Sequence, residues 1–215
     1  MYPYPLLSNS CIISPIFWDV SASTPAIIDY SIEEFRDIDS RDQDAVESYN
    51  RHYLESRGSS WALWGYLEDR SHILRGTHIA QEWRIYHLGV DVIFPAGTTL
   101  YAPLDARVYE KWYEPWDGNY WGYIILEHTV WWVSFYALYG HLSYDSITRD
   151  ESVDRGQEFA RLGQRSENGN WFEHLHLQVF TGRDVEKWKD KWYCSLADLP
   201  TIKNHCPDPS FLIRY

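Results

Sequence analysis

"HLHLQVF", residues 174–180, decides the class of fold, because its polar and apolar residues alternate one by one. Successive side chains of a β-strand point to opposite faces. Leu175, Leu177 and Val179 then share one face, and His174, His176 and Gln178 the other. The first face reads as core and the second as the floor of a site. At a rise of ~3.3 Å per residue the two histidines stand ~6–7 Å apart at Cα. That suits two ligands of one metal, or one ligand and one catalytic group. An isolated His-x-His is more often a pair of surface histidines, so the rest of the chain has to supply partners.

The neighbouring stretches extend the β pattern. From about residue 60, "GTHIAQEWRIYHLGVDVIF", "TTLYAPLDARVYEKWY", "GYIILEH" and "WVSFYALYGHL" are rich in β-branched and aromatic residues. Turn signals separate them: "PAG" at 95–97, "WDGN" at 116–119 and "ENGN" at 167–170. Such short connections leave no room for helical crossovers and predict antiparallel pairing. Ahead of this half, residues 1–30 read as irregular and proline-punctuated. Two helices follow. Ser31 caps the first, "SIEEF", with Glu34 at the capping-box position. The second, "SRDQDAVESYNRHYLESR", opens at Ser40 with Gln43 three residues on. Val46, Tyr49, Tyr53 and Leu54 give it an apolar stripe that predicts packing against the β half. The expected organisation is an irregular and helical extension over 1–58, then a mostly β domain with a groove over 59–215.

The chain of 215 residues is long enough for one domain with a substantial core. Its 12 Trp and 17 Tyr suit half-buried pleated surfaces and grooves for extended ligands. A net charge of −12 supplies no basic footprint for nucleic acid and disfavours anionic membranes. No stretch approaches the ~18–20 apolar residues of a membrane helix. "MYPYPLLSNSCIISPIFWDV" is apolar, but it lacks a positive start and is broken by Pro3, Pro5 and Pro15, so it reads as a poor signal peptide. The default expectation is a cytoplasmic protein, with export by another route left open. Cys11, Cys194 and Cys206 form no C-x-x-C pair and are expected to be free thiols.

The chemistry gathers in the β half. "HLGVD" holds His87 and Asp91, ~13 Å apart in a straight strand. Both reach one ion only if the backbone bends between them, and Gly89 permits a bend. Two imidazoles and one carboxylate make a ligand set that leaves zinc a fourth position for water, which the ion activates. His141, in "YALYGHLS", follows a β run and stands available as a proton-handling or oxyanion-stabilising group. His52, His72, His78, His128 and His205 match no motif and read as surface or structural histidines. Glu127 and His128 read as an exposed strand-end pair, and Trp131 and Trp132 as core or groove wall.

The stretches "YHLGVDVIFPAGTTLYAPLDARV", "FYALYGHLS", "VDRGQEFARLGQ" and "HLHLQVF" together resemble the lysostaphin/LytM-type zinc metallopeptidases, which cut peptide cross-links of bacterial cell walls. The resemblance covers about residues 85 to 180. It implies a compact antiparallel β-sheet domain with a groove. It also implies one zinc per chain on His87, Asp91 and His176, with His141 and His174 catalytic beside it. The implied activity is hydrolysis of peptidoglycan cross-links or similar small-residue peptides. Three departures stand out: Ala106 after "APLD", where the family commonly has Gly; Phe172 and Glu173 before His-x-His, where small residues are common; and the aromatic stretch 110–123, whose turn is expected to wall the groove. Two alternatives stay open: a non-catalytic peptide-binding or regulatory module, and a zinc enzyme acting on another polymer. Oligomeric state is not legible.

Overall fold

The alternating stretches form strands. The computed structural model describes residues 13–18, 23–29, 31, 38–39 and 42–215. In chain order the strands are β1 (Ala26–Ile28), β2 (Ala62–Trp64), β3 (Arg84–His87), β4 (Val90–Ile93), β5 (Thr99–Tyr101) and β6 (Ala106–Glu114). They continue as β7 (Trp121–Val130), β8 (Val133–Leu142), β9 (Ser152–Val153), β10 (Glu158–Arg161), β11 (Leu175–Thr181) and β12 (Tyr193–Ser195). The main sheet has eight strands in the order β1-β2-β4-β11-β8-β7-β6-β9, and two ribbons, β10-β5 and β12-β3, flank it. The fold is mostly β, as the alternation implied. Pairing is antiparallel throughout the main sheet except between β1 and β2. Ala26–Ile28, in the stretch expected to be irregular, is a strand parallel to β2. A parallel pair needs a long crossover, and helix α1 (Gln43–Arg57) lies within it.

Helix α1 starts later than Ser40. Asp42 is its N-cap, its carboxylate accepting from Ala45 N at 3.1 Å, and Gly58 closes it at φ +61°. Ser40 and most of "SIEEF" lie outside the described residues. Val46 is buried, and Tyr49, Tyr53 and Leu54 pack with it against Trp64, Ile93 and Phe172, so the helical stripe covers the sheet margin. The three turn signals hold. Gly97, Gly118 and Gly169 adopt φ of +78°, +88° and +87° between their strands, conformations that cost glycine little.

Both faces of the central strands are covered. Ile124 and Leu126 of β7, Ala137 and Tyr139 of β8, and Leu175, Leu177 and Val179 of β11 join one core cluster with Ile13, Ile16 and Phe17. Across the sheet, Leu138 and Phe180 pack with Tyr120, Trp188, Cys194 and Cys206. Cys194 and Cys206 are free and buried, while Cys11 lies outside the described residues. No described helix is long and apolar enough to cross a membrane.

Candidate active site

Register carries four residues into one row on the polar face. Trp64 of β2 stands beside Asp91 of β4, Asp91 beside His176 of β11, and His176 beside Gly140 of β8. His87 reaches the row from outside the main sheet: it ends β3, and the chain crosses to β4 over Leu88 and Gly89. A Cβ on Gly89 would stand 2.6 Å from His176 Cε1 and 2.7 Å from the Leu177 carbonyl. The glycine therefore serves the close approach of an imidazole, since its φ is not positive. His141 follows Gly140 and in a regular strand would face away. It sits at φ +62°, beside an irregularity in the β7–β8 register between Gly122 and Ile124. Local disruption of this kind re-aims a side chain, and the imidazole lies against His174, ring centroids 4.3 Å apart.

His87, Asp91 and His176 form a buried group whose ligand atoms all lie within 4.8 Å of one another. His176 Nδ1 is 3.0 Å and His87 Nε2 3.4 Å from Asp91 Oδ1, and the two nitrogens are 3.1 Å apart. The outer hydrogen bonds decide where the protons sit. Gln178 donates through Nε2 to the Lys191 carbonyl at 3.2 Å, which turns its Oε1 toward His176 Nε2 at 3.1 Å. Gln178 Oε1 and Asp91 Oδ1 both only accept, so His176 can donate from Nε2 to Gln178 when a cation, rather than a proton, lies between its Nδ1 and Asp91. By the same logic His87 donates from Nδ1 to the Gly65 carbonyl at 3.3 Å and presents a bare Nε2. Three lone-pair atoms this close repel unless a cation or a proton lies among them. Ligands on a tetrahedral ion with bonds of ~2.0–2.1 Å are spaced about 3.3–3.4 Å apart, so the donor set fits a zinc-sized ion.

Two further histidines flank this group. His174 donates from Nδ1 to the Phe172 carbonyl at 2.8 Å, and His141 from Nδ1 to the Asn168 carbonyl at 2.7 Å. His174 Nε2 stands 3.9 Å from Asp91 Oδ1. Burial holds His174 and His141 below the usual histidine range, and His174 and His176 press on His141 further. Burial, and after it Arg70, lowers His87 likewise. For Asp91 burial acts the other way, but His87 and Arg70 outweigh it and keep the carboxyl well below the carboxylate range. All these groups line a cavity whose walls include Trp64, Gly118, Tyr120, Phe172 and Trp192. The 110–123 stretch thus walls the site through Gly118 and Tyr120, and Phe172 stacks on His174 at 4.5 Å.

Several contributors escaped sequence reading. Arg70 Nη1 binds Asp91 Oδ2 at 2.8 Å, and its Nε binds Glu68 at 2.8 Å. Neither residue belongs to a recognisable spacing. Gln178 lies on the site face by alternation alone, which gives no sign of its bond to His176. Two expectations fail elsewhere. His128 is fully buried, while Glu127 faces outward to Arg107, because neighbours on a strand point to opposite faces. Trp131 and Trp132 are 58% and 86% exposed at the β7–β8 turn, neither core nor cavity wall. Of the other histidines, His205 pairs with Asp184 at 2.9 Å, and none of His52, His72, His78 and His205 belongs to the His87–Asp91–His176 group.

Residues 85–187 match the model of Peptidase family M23. The matched segment, just under half of the chain, is similar to that family. All five predicted site residues, His87, Asp91, His141, His174 and His176, lie inside the matched segment, whereas Gly65, Glu68 and Arg70 precede it. No curated protein matches the chain. Among solved structures, a zinc-containing peptidase from Vibrio cholerae is similar at 29% identity and a TM-score of 0.37, over 45% of this chain and 28% of that one. The present chain thus spans under a third of the Vibrio protein. The catalytic domain of the antimicrobial peptidase lysostaphin from Staphylococcus simulans is similar at 22% identity and a TM-score of 0.40, over 55% of this chain and 80% of that one.

Proposed function

We propose that the protein is a zinc-dependent endopeptidase whose ion is held by His87, Asp91 and His176. The observation that carries this reading is the meeting of three buried lone-pair atoms, 3.0–3.4 Å apart, with their outer positions tied to protein groups. A bound zinc supplies Lewis acidity toward a carbonyl and lowers the pKa of a water toward ~7.

The remaining chemistry is assigned to this chain's own groups. His174 and His141 each anchor Nδ1–H on a carbonyl and so offer a bare Nε2. Kept neutral by burial, they can take a proton from water at Nε2, and the imidazolium so formed can donate to a developing oxyanion or pass the proton to a leaving amine. Asp91 Oδ1, 3.9 Å from His174 Nε2, favours the imidazolium formed on the way. The aromatic walls exclude bulk water, which strengthens each of these interactions. The substrate class proposed from the family resemblance is a small-residue peptide such as a glycyl or D-alanyl cross-link of peptidoglycan.

The test joins metal content to cleavage. Elemental analysis should find about one zinc per chain. Purified peptidoglycan or a glycine-rich peptide should yield new amino termini, a chelator should stop this, and added zinc should restore it. Protein that cannot be loaded with any divalent metal would sink the reading. Loaded protein that binds these substrates and cuts none would make it a binding module.

A further inference from the structure

Glu68 and Arg70 lie ahead of the matched segment, yet they hold one of its carboxylates. Their side chains are 6% and 4% exposed, and the chain Glu68–Arg70–Asp91 runs through two contacts of 2.8 Å. The backbone around them is pinned to the site. Leu67, at φ +58°, donates to the His87 carbonyl at 2.7 Å, and His87 N donates to the Glu68 carbonyl at 3.1 Å. Arg70 N donates to the Ile85 carbonyl at 2.9 Å, and the Gly65 carbonyl takes His87 Nδ1–H. A non-glycine residue in the left-handed region persists only where its surroundings over-determine it. Segment 65–70 is therefore fastened to His87 by its backbone and to Asp91 by a side chain.

We propose that Glu68 and Arg70 are positioning residues for the metal centre, together setting its zinc affinity. This inference rests on the zinc reading of the site. Arg70 occupies Asp91 Oδ2, which leaves Oδ1 facing His87 and His176. A carboxylate without that clamp is free to turn or to offer both oxygens. The clamp has an electrostatic drawback, because a guanidinium bound to one ligand of a dication repels the ion in a buried setting. Glu68 offsets this: its carboxylate neutralises Arg70 from the far side while fixing the guanidinium plane. The pair thus orients without weakening cation binding.

The sign of each substitution follows. Glu68→Gln leaves a cation unbalanced beside Asp91 and should weaken zinc binding ~10–100-fold, the usual weight of groups that orient metal ligands. Arg70→Lys keeps the charge but loses the two-point fork, and should weaken zinc binding less. The double variant Glu68→Gln/Arg70→Gln removes the unbalanced charge and should bind zinc more tightly than Glu68→Gln alone. A merely structural role predicts the opposite order, since two lost contacts would be worse than one. The measurement is zinc dissociation constants on the full chain by competition with a chromophoric chelator, with the cobalt absorption spectrum reporting ligand geometry. Single variants that match the wild type, or a double variant weaker than Glu68→Gln, overturn the inference. If Glu68→Gln does not fold, Arg70→Lys decides alone: unchanged affinity and an unchanged cobalt spectrum overturn it. Wild-type protein that binds no divalent ion overturns the reading of the site itself, a result distinct from equal affinities.

Discussion

The two faces of β11 and its neighbours run through the same strands, and both bury imidazoles, with different consequences. On the face with Leu175, Leu177 and Val179, His128 stands across from Phe135 among apolar side chains. It is fully buried, donates from Nδ1 to the Asp105 carbonyl at 3.2 Å, and has no hydrogen-bond partner for Nε2 among the described residues. On the other face His176 also ties one nitrogen to a protein oxygen, but its second nitrogen meets Asp91 and His87 at 3.0 and 3.1 Å. Burial and one hydrogen bond are common to both. What separates them is convergence of lone pairs on one point. A buried histidine alone is a stability feature, and several aimed at one place make a candidate site.

The strongest way to break this contrast is to substitute within the polar face. His176→Ala removes a proposed ligand, so zinc content and turnover should fall together. His174→Ala and His141→Ala leave the three-donor group whole. Both should keep zinc near one per chain and lose ~10²–10⁴-fold in rate, the usual contribution of a positioned acid–base group. If His174→Ala sheds zinc while His176→Ala keeps it, the two roles are exchanged.

Substitution on the dry face should act on stability instead. Leu177 is fully buried between Val90 and Tyr139 in the register. Leu177→Ala should cost about 2–5 kcal/mol in unfolding free energy through lost burial and a cavity. Folded variant should bind zinc with near wild-type affinity, because the removed atoms face away from His176. A large drop in zinc affinity without a stability loss would show that the faces are not separable.

Much of this division was legible in seven letters. Alternation in "HLHLQVF" separates the faces, and "PAG", "WDGN" and "ENGN" punctuate the strands because their glycines accept positive φ. The five chemical residues stand in recognisable spacings, and the structure brings them together. Other features leave no local trace. His141 turns into the site only through a φ of +62° at a strand irregularity. Glu68 and Arg70 matter through tertiary contact, and "LEDRS" has no period that announces it. Strand β1 has only three residues, too few for alternation to stand out. Adjacency makes Glu127 and His128 look like one exposed pair, but strand geometry sends them to opposite faces.

The gentlest test concerns His128, the histidine without convergent partners. Burial, its dominant influence, pushes the imidazole down to about 4, against ~6.5 in an unfolded chain. The unfolded state therefore binds a proton that the native state refuses between these values. The sign follows from linkage: this contribution to stability is intact above about 6.5, declines as pH falls through the window, and is fully lost below about 4. At 1.36 kcal/mol per pH unit the loss amounts to ~3 kcal/mol at most. His128→Gln keeps a donor for the Asp105 carbonyl but cannot titrate. Urea unfolding of both proteins at steps from pH 7.5 to 4.5 should show the wild type losing more stability than the variant. The divergence should begin near 6.5 and remain after a chelator has stripped any metal, since His128 lies on the face away from His176. Parallel pH profiles would mean that His128 is already open to protons in the native state, and that the dry face is wetter than its packing implies.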